Sequence, residues 1–219
     1  LLCCIIVLHV NGGDIMKYYN TIEELNNDIT KNKLMFSSSL AKNSYKKSIG
    51  VSTSFGNVTN LNSKNIPVVI INLSPTFNIS ANKINTSEKI LNKIIKSADI
   101  LPYVTYIYKN NIDRKNTILD SEYSYNCIKS THDELVYMIS NVYKNNDNIL
   151  FVFLGKYAEY QYLNNMLHTY NNNINTNIHT IYNKHISQFI DDNNYNENKS
   201  LLDDIDRIKR KINSLAKSK

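Results

Sequence analysis

The sequence predicts an α/β fold, a three-layer α/β/α sandwich around a central four-stranded, mostly parallel sheet. Three observations predict it. Two runs, Ile66-Pro67-Val68-Val69-Ile70-Ile71 and Ile149-Leu150-Phe151-Val152-Phe153-Leu154, are almost wholly apolar, as strands covered on both faces are. Stretches with apolar residues at helical spacing separate the strand candidates. Each run also stops at turn chemistry, Asn72-Leu73-Ser74-Pro75 after the first and Gly155-Lys156 after the second. In open parallel sheets, ligands sit beyond such carboxyl ends.

The chain has 219 residues, of which 42% are hydrophobic and 20% charged, so it has enough apolar material for one well-buried core. No linker or repeat divides it. Residues 16–219 are therefore expected to form a single domain, preceded by an apolar extension at 1–15. That extension, Leu1 to Val10 followed by Asn11-Gly12-Gly13, is too short for a membrane helix. It reads as upstream sequence before a start at Met16, as the remnant of a secretory signal core, or as a short buried strand. The 16 Tyr, 5 Gly, 3 Pro and absent Trp, with abundant Asn, Ile and Lys, point to A/T-rich codons. A net charge of +6 is compatible with a polyanionic partner, because each neutralised phosphate releases counterions. Cys3, Cys4 and Cys127 have no metal-ligand spacing, which favours a reduced, intracellular protein.

Taken in order, Thr21 with Glu24 three residues later forms a capping box for a helix to about Thr30. Lys31 to Asn65 reads as loop with short elements. Its Lys42, Lys46 and Lys47, beside Tyr45, would either touch phosphate or remain a solvated surface. After the Ile66–Ile71 strand, Ile90, Leu91, Ile94, Ile95 and Ala98 make Thr86 to Asp99 an amphipathic helix. Leu101 to Tyr108 is β-prone and is open to two readings, an excursion or part of the sheet, whereas Asn116 to Asp120 is a short strand candidate. Thr131-His132-Asp133-Glu134 caps a helix with Leu135, Met138, Ile139 and Val142 on its buried stripe. A helix from Tyr157 to His168 follows the central strand Ile149–Leu154. The strand Asn177–Tyr182 then delivers Lys184-His185-Ile186-Ser187-Gln188-Phe189. A last helix, about Lys199 to Ala216, carries Leu201, Leu202, Ile205, Ile208, Ile212 and Leu215.

Several chemistries have no template here. There is no G-x-G-x-x-G, P-loop or G-x-S-x-G motif. His168, His179 and His185 lack acidic partners at metal-ligand spacing. No metal or cofactor is expected.

The order of the pieces resembles the uracil-DNA glycosylase superfamily. There a V-V-I-L strand runs into a G-Q-D-P-Y-H loop; here Val68-Val69-Ile70-Ile71 runs into Asn72-Leu73-Ser74-Pro75-Thr76-Phe77. The family's V-L-L-L-N strand is similar to Thr117-Ile118-Leu119-Asp120. Its V-F-L-L-W-G-S-x-A segment is similar to Leu150 through Ala158. Its H-P-S-P-L loop and the F-x-x-x-N-x-x-L helix resemble His185-Ile186-Ser187-Gln188-Phe189 and Tyr195 through Leu202. The likeness covers roughly Pro67 to Ile212 and rests on order and spacing, since no motif is intact.

The resemblance implies a base flipped out of the duplex, with the site built from these loops. It makes His185 the donor to the leaving base and Phe189 the apolar wedge in the stack. Lys184, Ser187, Pro75 and Lys156 would line the DNA. It puts Asp120 where the family reads uracil with Asn, and Ser74 where it carries its acid. An ionised Asp cannot donate to uracil O4, and a serine brings no negative charge. The tyrosine that excludes thymine is matched by Thr76, and the uracil-stacking segment is missing between Asn78 and Thr86. The expected function is therefore double-stranded DNA binding with weak or no base excision. The chain would serve as a replication or repair accessory beside a polymerase subunit, as in the poxvirus-like branch, in the cytoplasm or nucleus of an infected cell. Two alternatives stand beside it. One is an active glycosylase in which Asp120 or another carboxylate supplies the acid. The other is a secreted or membrane-associated α/β protein, with Asn-x-Ser/Thr sites at Asn57 and Asn78.

Overall fold

The computed structural model describes residues 64–74, 86–108, 121–171, 176–189 and 197–217. The 1–15 extension, the Thr21 helix, the Lys42–Lys47 cluster, Pro75, Thr76, the 79–85 segment and the Asn116–Asp120 strand candidate lie outside them.

Among the described residues four strands make one sheet: β1 (Val68–Asn72), β2 (Tyr103–Tyr106), β3 (Asn148–Leu154) and β4 (Asn177–Asn183). Their order is β2-β1-β3-β4 and every neighbouring pair is parallel. The register pairs Val69 with both Tyr103 and Phe151, and Ile149 with Ile178. All residues of β1 and β3 are buried, as expected of central strands that read as unbroken apolar runs. Pro67 precedes β1, where a missing N–H breaks no ladder, and its carbonyl accepts from Leu150 N–H at 2.9 Å.

The second strand decides between the two sequence readings. Leu101–Tyr108 is not an excursion: Tyr103-Val104-Thr105-Tyr106 is the edge strand beside β1, and all four residues are buried. Aromatic and β-branched residues suit a packed pleated surface, and four in succession suffice for a short strand.

Among the described residues the α-helices are α1 (Thr86–Ala98), α2 (Ser121–Tyr137), α3 (Ala158–Asn171) and α4 (Lys199–Lys217). α1 packs with α4, and α2 with α3. α1 ends with Asp99 in the left-handed region (φ 53°). There Asp99 N–H bonds Lys96 O and Ile100 N–H bonds Ile95 O, the paired bonds that close a Schellman motif. α2 passes into a π-helical turn at Met138–Val142, which buries Met138 and Ile139.

The expected cap at Thr131 is also corrected, because α2 begins ten residues earlier, at Ser121. The Thr131 hydroxyl donates back to Cys127 O at 3.0 Å and lies 3.2 Å from Tyr106 O. Glu134 is fully buried and accepts from the hydroxyls of Tyr103 and Thr105, the latter at 2.8 Å. A cap signature satisfied by tertiary partners has no need to start a helix.

Candidate functional site

Since all four strands run the same way, their carboxyl ends share one edge of the sheet. From β1 the chain moves outward to β2, then returns past β1 to β3 and on to β4. The β1–β3 boundary is thus the topological switch point, the place beside which ligands of open α/β sheets bind.

The β1 end is fixed by its own side chain: Asn72 Oδ1 accepts from Leu73 N–H at 2.8 Å. Asn72 O and Leu73 O then accept from Ile107 N–H at 3.0 Å and Tyr108 N–H at 2.9 Å. This brings Tyr108 alongside Leu73-Ser74, with Ser74 half-buried. The Tyr108 hydroxyl lies 2.9 Å from Ser124 Oγ and donates to Glu159 Oε1 at 3.2 Å. Burial is the main reason its pKa rises from 10.0 to about 12, and Glu159 nearby adds to the rise. Tyr108 is therefore a hydrogen-bond donor throughout the physiological range.

The β3 end turns at Gly155, whose N–H extends the ladder to Asn183 O at 2.9 Å. Its φ of +132° and a Cβ position 2.5 Å from the Tyr157 ring both require glycine. That turn leaves Lys156 exposed and sets Tyr157 edge-on to Tyr160 at 5.2 Å and to the His185 imidazole at 5.4 Å.

The β4 end is clamped by α4. Asp204, 3% exposed, accepts Lys184 N–H at 2.8 Å, and its carbonyl accepts from Asn183 Nδ2 at 3.2 Å. Arg207 lies 3.6 Å from the Asp204 carboxylate and donates to Tyr182 O at 2.8 Å. His185 then starts a tight 3-10 turn, Ile186–Phe189. Its Nδ1 accepts from Ser187 N–H at 3.2 Å and lies 2.6 Å from Ser187 Oγ. An imidazole that accepts at Nδ1 carries its proton, when neutral, on Nε2. The neutral ring is thus held as an Nε2–H donor.

No known family model, curated protein or solved structure matches this chain.

The carboxyl edge separates the expected site residues into four groups. Lys184, His185 and Ser187 fall together at the β4 end, and Tyr157 joins them to the β3 turn that carries Lys156. Ser74 belongs to the β1 end, beside Tyr108. Pro75 and Asp120 lie outside the described residues. Phe189 is placed against its expected role as a wedge: it is 2% exposed and lies in the core, where the 3-10 turn packs on α1. A buried ring cannot enter a base stack without unfolding its turn. The exposed residues of the 3-10 turn itself are Ser187 and Gln188.

Two polar clusters had no motif to announce them. Tyr108, Ser124 and Glu159 come from three separate segments, and only the carboxyl-end convention of parallel sheets hints at them. Glu134 sits in a stretch that mimics a helix cap. Among the described residues no group of three His, Cys, Asp or Glu side chains gathers to hold a metal ion, and no helix is long and apolar enough to cross a membrane.

Proposed function

We propose that this chain is a divergent uracil-DNA glycosylase-like protein that binds double-stranded DNA with weak or no base excision, as an accessory to replication or repair. The observation that carries the reading is the state of His185. Nδ1 accepts from Ser187 N–H, so the neutral imidazole carries its proton on Nε2, at the carboxyl edge of a parallel sheet. That is the group the family resemblance asks for, a donor to the oxygen of a leaving or extruded base. Lys156 and Lys184, both exposed beside it, supply positive charge for a phosphate backbone. In this reading α1 with α4 and α2 with α3 cover opposite faces of the sheet, the arrangement that right-handed crossovers produce from this strand order.

Weak excision follows from the β1 end. Ser74 puts a neutral hydroxyl where an acid would stabilise the cationic sugar, and loss of one such electrostatic group costs on the order of 10²–10³-fold in rate. Binding survives such a loss, because contacts to phosphate do not depend on it.

One observation favours an active enzyme as the second reading. Glu159 stands in the first turn of α3, on the same carboxyl edge, with its carboxylate held by Tyr108. It would supply the negative charge that Ser74 lacks. A duplex-binding titration run beside an excision assay on uracil-containing DNA separates the two. Salt-sensitive binding without base release is the expected result. Base release abolished by Glu159→Gln would favour the second reading, and no binding to either duplex would sink both.

A further inference from the structure

Among the described residues α4 is the longest helix, and its charges are segregated along it. Its acids, Asp203, Asp204 and Asp206, all precede Arg207. From Arg207 to Lys217 it carries Arg207, Lys209, Arg210, Lys211 and Lys217 and no acid at all. At 3.6 residues per turn, Arg207, Arg210, Lys211, Ser214 and Lys217 share one strip that borders the buried stripe of Ile205, Ile208, Ile212 and Leu215. The helix dipole accounts for a cation in the last turn, but its influence fades within that turn and does not reach Arg207, Arg210 or Lys211. Ion pairing does not account for them either. Arg207 lies near Asp204, but no carboxylate among the described residues pairs with Lys209, Arg210, Lys211 or Lys217.

The strip has a definite place in the fold. Arg207 donates to Tyr182 O, so this side of α4 runs along β4, the edge strand. Lower on the strip, Lys211 is near enough to His179 of β4 for its charge to reinforce the effect of burial on that imidazole. At the upper end Asp204 binds both Lys184 N–H and Arg207, which joins the strip to the loop of His185 through the exposed Lys184. From Arg207 to Lys217 the helix advances about 15 Å, the rise of four to five base pairs of duplex.

We propose that the Arg207–Lys217 strip is a phosphate-backbone contact surface for double-stranded DNA, separate from the His185 loop and continuous with it through Lys184. It rests on the DNA-binding reading above. The strip would position the duplex without reading its sequence, since phosphate contacts fix register and carry no base information.

The test compares full-length proteins in duplex-binding titrations across a salt series, with melting curves to establish that each variant is folded. The strip variant is Arg210→Ala with Lys211→Ala and Lys217→Ala; Arg207 is left intact because it holds β4. The charge-matched control is Lys89→Ala with Lys96→Ala and Lys144→Ala. Each contacted phosphate adds about 0.9 to the slope of log affinity against log salt, so the strip variant should lose about 2–3 from that slope and bind more weakly at 0.1 M salt. The control should keep the wild-type slope, as should the charge-retaining pair Arg210→Lys with Lys211→Arg. An unchanged slope in the strip variant, or an equal loss in the control, overturns the strip while the DNA reading stands. A wild-type protein that binds no duplex at low salt overturns both.

Discussion

At Gly155 a single backbone angle decides how the β3 turn meets the histidine loop. Its φ of +132° lies where side chains are rarely tolerated, and an added Cβ would stand 2.5 Å from Tyr157 Cε2. Gly155→Ala should therefore lower stability by about 1–3 kcal/mol, read from urea midpoints, and should also disturb the Tyr157–His185 contact. Loss of that contact would appear as a shifted His185 ring signal in NMR spectra. A fully tolerated alanine with an unmoved ring signal would contradict the placement of this turn. Phe189 belongs to the same scale. The sequence places it at the tip of a polar loop, but Ile186–Phe189 winds into a 3-10 turn that lies against α1 and buries both Ile186 and Phe189. Phe189→Ala should then behave as a core truncation and cost about 3–5 kcal/mol. Weaker DNA binding with an unchanged melting point would instead revive the wedge. The wedge expectation failed because a resemblance in order and spacing conveys where a residue lies along the chain, not whether its turn folds inward.

Among the elements, those with unbroken apolar patterns were legible and those decided by tertiary contacts were not. β1 and β3 are central strands because nothing polar interrupts Val68–Ile71 or Ile149–Leu154, and α1, α3 and α4 follow their helical repeats within a few residues. β2 was ambiguous because four β-formers between helices lack the length that marks a central strand. The start of α2 was misread because Thr131 and Glu134 fit a capping box equally well by sequence, while their real partners lie on β2, 25 to 31 positions earlier in the chain. The Glu134 carboxylate thereby fastens α2 to the edge strand. Glu134→Ala removes the acceptor that Tyr103 and Thr105 share, which should cost about 1–3 kcal/mol and loosen β2 first. Glu134→Gln keeps one carbonyl acceptor and should retain more of the stability. Amide exchange at Tyr103–Tyr106 provides the readout: faster exchange there than at β3 in the alanine variant is expected, and uniform protection would count against the anchoring role.

At the scale of the whole molecule, four shifted groups among the described residues bound a plateau in their joint contribution to stability, and the sign of each limb follows from where protons are held. His179 has its pKa lowered from 6.5 by burial and by Lys211. Below pH 6.5 the unfolded chain takes up a proton that the folded chain resists, so stability falls with pH toward the lowered folded value. Tyr108, Tyr143 and Tyr182 are displaced the other way, burial being the leading cause in each. Above pH 10.0 the unfolded chain releases phenolic protons that the folded chain keeps, so stability falls again, for Tyr108 up to about 12. The joint contribution of these groups is flat between pH 6.5 and 10.0. The four side chains come from β4, the β2 end and the π-helical turn, so the plateau reflects the sheet and its covering helices and not one local site. Urea midpoints across that range should show both limbs. His179→Gln should flatten the acid limb alone, because it leaves a polar side chain facing Asn148 without a titrating proton. Tyr108→Phe should flatten part of the alkaline limb and leave the acid limb unchanged. An acid limb that persists in His179→Gln would show that carboxylates, and not this imidazole, control unfolding below neutrality.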